Sequence, residues 1–183
     1  MRPVEVVFAF GWAALLVIWL LAGMFKKRGR REWRREGPIR VVLVVLVVLL
    51  ARLGVIRGHT GVTTDPWRET AGLVLSAVGL GLAIWARVHL GRNWGVPMTK
   101  QDEPELVRGG PYRLVRHPIY SGIIAAGIGT AVGLSWFWLV PVLLAGSYFV
   151  YAATVEERFL AEQFPETYPE YKRATKMLVP FVF

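Results

Sequence analysis

Apolar residues in this chain fall in long unbroken blocks, with neither the 3.6-residue stripe of a surface helix nor the alternation of a half-buried strand. Blocks of this length predict helices that cross a bilayer. The first covers about Val4 to Phe25, with Glu5 near its outer edge. Its positive charges follow the apolar run instead of preceding it, which argues against a cleaved signal peptide. The second runs from about Ile39 to Ile56 and is dominated by valine and leucine. In water its β-branched residues would favour a strand, but in hydrocarbon only helices and closed barrels satisfy the backbone, and no alternation is present. A helix is therefore expected there, with Arg52 near its end, placed to snorkel. Further spans are predicted from about Thr70 to Leu90, from Ile119 to Leu134 and from Ser135 to about Thr154, the fourth being short for a full crossing.

The polar stretches between these blocks set the expected orientation. Lys26 to Arg35 is strongly basic and is assigned to the cytoplasmic side by the positive-inside rule. Arg57 to Pro66 reads as an outer loop, and Gly91 to Arg116, with Pro97, Pro104, Gly109, Gly110 and Pro111, as a long turn-rich cytoplasmic segment. Counting crossings puts the N-terminus outside, the segment before His117 inside and the tail from Val155 inside. Trp136 and Trp138 mark the outer interface. Small residues at Gly122, Ala126, Gly129 and Gly133 suit close packing of the fourth and fifth helices as a hairpin, and such faces permit oligomerisation. Gly79 to Ile84 has glycines spaced faintly like a dinucleotide loop, but no strand precedes it.

The expected fold is thus an all-α integral membrane protein of about five transmembrane helices, in the inner or cytoplasmic membrane. Residues 1–69 form a two-helix segment with a basic loop. Residues 70–183 form a core of three helices, a loop at 91–118 and a C-terminal cover at 155–183. Composition agrees: of 183 residues, 54% are hydrophobic and 8 are Trp, with mean hydropathy +0.42, too apolar for an ordinary soluble domain. The net charge of +9 resides in loops beside the apolar blocks, and no nucleic-acid-binding motif appears. Without cysteine there is no disulfide or thiolate site, and His59, His89 and His117 lack metal-ligand spacing.

Polar chemistry concentrates in two places. Gly110 to Gly122 sets Tyr112, Arg113, Arg116, His117 and Tyr120 around a His-Pro step, which suits a helix start whose N–H groups attract anions and places His117 at the cap. Glu156-Glu157-Arg158 is expected to end the last apolar helix, where carboxylates meet the unfavourable end of the dipole and need a positive partner. Arg113, Arg116, Arg158 or a bound ammonium or sulfonium would serve. Both sites are expected at one face of the membrane, with the aromatic and charged tail from Phe164 to Phe183 folded back to exclude water.

Leu106-Val107, Gly110-Pro111-Tyr112, Arg116 to Gly122, Glu156-Glu157 and Tyr168-Pro169-Glu170-Tyr171-Lys172, taken in order, resemble the isoprenylcysteine carboxyl methyltransferase family and its prokaryotic relatives. Phospholipid N-methyltransferases share parts of the set. The resemblance implies S-adenosylmethionine as cofactor, entering from the cytosol, and a lipophilic acceptor from the bilayer. It places cofactor binding on Glu105, Leu106, Val107, Tyr112, His117, Pro118, Ile119, Tyr120 and Glu156. Beside it, the residues themselves offer His117, Glu156 and Arg116 as candidate catalytic groups and Glu157, Arg158 and Tyr151 as candidate substrate contacts. Pro97 and Pro104 stand where eukaryotic members use polar residues, and Ala152 stands where they place a substrate-binding arginine. Carboxyl O-methylation of an isoprenylcysteine-like compound is the leading expectation, with methylation of a phospholipid or other small lipid as the alternative. Leu90 to Trp94 resembles a segment of sterol reductases and keeps an NADPH-dependent reductase open, and a non-enzymatic scaffold is a third reading.

Overall fold

A computed structural model describes residues 2–23, 29–31, 63–93, 99–101 and 105–182. Five α-helices order these residues: α1 (Pro3–Gly23), α2 (Pro66–Leu90), α3 (Pro118–Gly133), α4 (Leu139–Gln163) and α5 (Tyr168–Ala174). Two three-residue strands, β1 (Gly29–Arg31) and β2 (Thr99–Gln101), pair antiparallel. They join two segments that the charge pattern assigned to the same side. The span expected at Ile39 to Ile56 lies outside the described residues. Among the described residues, three helical stretches are long and apolar enough to cross a membrane, in α1, α2 and Trp136–Gln163. At 16 residues, α3 reaches about 24 Å, short of a hydrocarbon core of about 30 Å.

Local chemistry moves two of the predicted boundaries. Asp65 accepts a hydrogen bond from the Trp67 backbone N–H at 3.0 Å and Pro66 takes the first helical position, so α2 starts at Pro66 and not near Thr70. In the fifth predicted span nothing after Thr154 opposes a helix until Pro165, and α4 continues to Gln163. Glu156 and Glu157 therefore lie inside a helix, not at its end. The dipole argument for their compensation does not apply, and side chains compensate them instead.

The closest packing is between α2 and α3. Gly72, Ser76, Gly79 and Ala83 of α2 meet Gly133, Gly129, Ala126 and Gly122 of α3, and both helices carry the same four-three-four spacing. A Cβ on Gly79 would lie 2.4 Å from the Ala126 backbone nitrogen, so only glycine permits this approach. This corrects the expectation that the α3 glycines pack the hairpin with α4. The matching stripe is on α2, where Ser76 Oγ also donates to the Ala126 carbonyl at 2.7 Å.

The helix ends form two separate polar zones. At one, Arg2 bonds Glu5, Glu69 and the Thr63 carbonyl, the Thr63 N–H donates to Leu134, and the Arg68 guanidinium lies 4.8 Å over the Trp136 ring. At the other, the end of α2, the start of α3, the last turns of α4 and the C-terminal tail come together. His117 belongs to this second zone.

Candidate active site

The segment leading into α3 is built by a tight turn. Gly110 has φ +55°, a conformation glycine adopts freely, and a Cβ there would lie 2.9 Å from the His89 ring. The 3-10 turn Gly110–Arg113 places Tyr112 inside, with its ring stacked on His89 at 6.4 Å. Burial pushes the Tyr112 hydroxyl well above its usual range, keeping it a neutral donor. The C-terminal tail then docks on the following residues. Arg116 and His117 donate their backbone N–H groups to the Lys176 and Met177 carbonyls at 2.8 and 3.1 Å, and Ser121 Oγ donates to Leu178 at 2.6 Å. The tail folds back over the start of α3.

His117 occupies the cap position of α3 but makes no side-chain capping bond, contrary to the reading of the His-Pro step. Its ring turns to the acidic pair on α4. Nδ1 lies 3.4 Å from Glu156 Oε2 and Nε2 lies 3.6 Å from Glu157 Oε1. Burial disfavours the imidazolium, but the two carboxylates outweigh it and raise the His117 pKa above its ordinary value. The ring stacks on Tyr120 at 5.5 Å and an interplanar angle of 6°. Tyr120 donates its hydroxyl to Glu156 Oε1 at 2.6 Å and stacks on Phe149 at 4.6 Å. A continuous aromatic column thus runs from the imidazole to the α4 face.

Adjacent carboxylates take different partners. Glu157, with its side chain 4% exposed, pairs with Arg116 Nε at 2.6 Å and Lys172 Nζ at 2.8 Å. Arg116 also donates to the Lys172 and Thr175 carbonyls, and Tyr171 Oη donates to the Tyr112 carbonyl at 2.7 Å. Burial pushes the Tyr171 hydroxyl up to about 12, so it remains protonated in that bond. This set clamps α5 and the tail against α4. Glu156, 24% exposed, instead faces Tyr120 and His117.

The other sequence-identified residues divide by place. Glu105 is exposed and accepts from Asn93 Nδ2 at 2.5 Å, while Leu106 and Val107 are half-buried. Pro118 is buried, and Ile119 packs against Tyr120, Ala152 and Leu178. Ala152 has no exposure in that cluster, so an arginine side chain has no room there without rearrangement. Arg158 and Tyr151 are exposed. Phe149, Lys172, Tyr171 and His89 were not identified as site residues. The Tyr-Pro-Glu-Tyr-Lys run contained two of them, but its spacing does not reveal that it clamps Glu157 and the Tyr112 carbonyl. Among the described residues, no group of His, Asp or Glu is arranged to hold a metal ion.

A helical membrane framework carrying a partly buried His-Glu-Tyr cluster under a docked tail has relatives named for their activity. Residues 67–167 match the phospholipid methyltransferase family. The chain is 30% identical over 148 residues to protein-S-isoprenylcysteine O-methyltransferase A of Arabidopsis thaliana, covering 76% of this chain and 73% of the relative. It is 27% identical over 185 aligned positions to methanethiol S-methyltransferase of Pseudomonas sp. (strain GM41(2012)), covering 87% and 67%. Cobalt-zinc-cadmium resistance protein CzcN of Cupriavidus metallidurans is 32% identical over 145 residues, covering 78% and 63%. These findings define a membrane methyltransferase. The chain belongs to the phospholipid methyltransferase family, and the reductase and scaffold readings are set aside.

Proposed function

We propose that the protein transfers a methyl group from S-adenosylmethionine to a lipophilic acceptor drawn from the bilayer, at a site on the cytoplasmic side of the inner membrane. The observation that carries this reading is the Glu156, Tyr120 and His117 cluster, within a chain of the phospholipid methyltransferase family. The donor set fits the cofactor: a partly exposed carboxylate suits an ammonium group, an aromatic column suits a sulfonium, and a half-buried Leu106-Val107 pair suits an adenine. In this assignment Glu156 holds the ammonium, Tyr120 fixes that carboxylate through its hydroxyl, Tyr112 supplies a ring face, and the 105–107 segment lies along the base. His117 and the α3 start face the methionyl carboxylate. Bound there, S-adenosylmethionine supplies an electrophilic methyl group on a positively charged sulfur.

The protein's own residues align and dry the reactants. The Glu157, Arg116 and Lys172 clamp fixes the tail over the site, which excludes water and strengthens the remaining electrostatics. Tyr120 Oη fixes the Glu156 carboxylate at Oε1, and His117 holds its proton between two acids. A carboxylate acceptor has no proton to lose, so the balance is one S–CH3 bond broken and one O–CH3 bond formed. Carboxyl O-methylation of an isoprenylcysteine-like compound is the leading reading. A thiol or amine acceptor is the second, favoured by Ala152 in place of an arginine and by Arg116 being paired with Glu157. Such an acceptor must release a proton to a base, which a carboxylate acceptor does not require.

Labelled S-adenosylmethionine incubated with the full chain and a lipid extract tests both readings. A labelled lipid product that releases methanol in alkali supports a methyl ester. A product stable to alkali supports the thioether or amine. No labelled lipid with a protein that binds S-adenosylhomocysteine contradicts the lipophilic acceptor.

A further inference from the structure

A half-open cavity of about 830 Å³ lies between α1, α3 and α4, far larger than a small thiol needs. At about 30 Å³ per water-sized group it has room for roughly 25 to 30 heavy atoms, within the range of ligand pockets. Along α4 its wall runs from Pro141 to Phe149, about 12 Å of helix. The polar atoms of the middle wall satisfy one another: Trp12 Nε1 donates to Thr130 Oγ1 at 3.1 Å, and Thr130 Oγ1 donates to the Ala126 carbonyl at 2.9 Å. What remains is an apolar chamber that hydrocarbon fills better than water.

Its two ends differ. Phe149 lines one end, and its ring stacks on Tyr120, the hydroxyl donor to Glu156. Arg2 and Glu5 line the other, paired at 3.0 Å and each about a third exposed, with Arg2 also held by Glu69 at 2.8 Å. A hydrocarbon pressed onto this pair would strip water from charged groups without replacing it. Both residues belong to the α1 end of the chain, outside residues 67–167 that match the family. One wall and the floor of the chamber therefore lie outside the stretch that matches the family.

We infer that this chamber holds the hydrocarbon chain of the methyl acceptor, and that the Arg2–Glu5 pair sets the longest chain accepted. The inference rests on the methyltransferase reading and adds to it a place and a limit for the acceptor's chain. Phe149 then marks where the chain's chamber meets the reacting end at Glu156.

The test uses the full chain in lipid nanodiscs and S-alkyl-N-acetylcysteines graded from methyl to eicosyl, with an alkyl-diazirine member as a photolabel. Wild type should bind more tightly as the chain lengthens, then lose at least about tenfold once the chain exceeds the chamber. Ala145→Phe, which fills the middle, should move that limit to shorter chains, and Arg2→Leu with Glu5→Leu should move it to longer ones. S-adenosylhomocysteine binding should stay unchanged in every variant. Label should fall on chamber residues such as Phe8 and Val142 and be displaced by the preferred acceptor. An unaltered length profile in Ala145→Phe overturns the proposal even if the Arg2 and Glu5 variant does not fold. Label displaced by bilayer lipid and not by the acceptor also overturns it, since the chamber would then be a lipid site. Failure of wild type to bind S-adenosylhomocysteine removes the methyltransferase reading, a result distinct from a missing chain limit.

Discussion

The two faces of α3 teach opposite lessons. Toward α2 the helix presents Gly122, Ala126, Gly129 and Gly133, and the backbones meet with only the small side chains of Ala126, Ser76 and Ala83 between them. Toward α4 it presents Tyr120, Ile124 and Gly127, and between the helices stand an aromatic column, a chamber and the acidic pair. The first face has one arrangement that fits, which suits a frame holding His117 in place. The second meets its partner through rings and methyl groups that can shift to admit a ligand. A helix too short to cross the hydrocarbon core by itself is thereby fixed on one side and open to chemistry on the other.

Gly129→Val should break this contrast most severely. The new Cβ would lie 2.5 Å from the Ser76 nitrogen and 2.7 Å from the Gly72 carbonyl oxygen, where neither backbone can yield. We expect a loss above about 3 kcal/mol, beyond ordinary overpacking, seen as absence of a cooperative melt in detergent. The same change at Gly146, whose added Cβ would meet only Ile124 Cδ1 at 4.0 Å, should be far milder.

Glu157→Gln is next. It leaves the buried Arg116 without its carboxylate and should cost about 3 kcal/mol, with faster proteolysis of the tail after Gln163 as the local readout. His117 gives a smaller effect with a defined sign. Its pKa is raised on folding, so its stabilising contribution is complete below the ordinary histidine range and disappears as pH rises through the raised value. Melting temperature should therefore fall across that alkaline window in wild type and stay flatter in His117→Asn. Equal slopes would contradict the two-carboxylate environment. The smallest change is Tyr171→Phe, which removes one buried bond to the Tyr112 carbonyl and should cost about 1 kcal/mol, measured by the same melts.

Much of this was legible in the chain. Hydrophobic blocks locate α1 and α2 because a bilayer allows long apolar segments few alternatives. The convergence of His117 with Glu156 and Glu157 follows from a hairpin that returns both to one membrane face. Three features were not legible, for physical reasons. The end of α4 depends on helix-compatible charged residues that look like a loop once hydropathy falls. The partner of the α3 glycines is set by a matching stripe at Gly72, Ser76, Gly79 and Ala83, which competes equally well with α4 in one dimension. The division between Glu156 and Glu157 is a matter of helical rotation: neighbours about 100° apart on a helix face different partners.

Calorimetry with S-adenosylhomocysteine tests the central claim most directly, that the imidazole before α3 and the first acid of the α4 pair form one cofactor site. Wild type should bind. His117→Ala with Glu156→Ala should lose binding while melting as a folded protein. Binding that persists undiminished in the double variant would contradict the account.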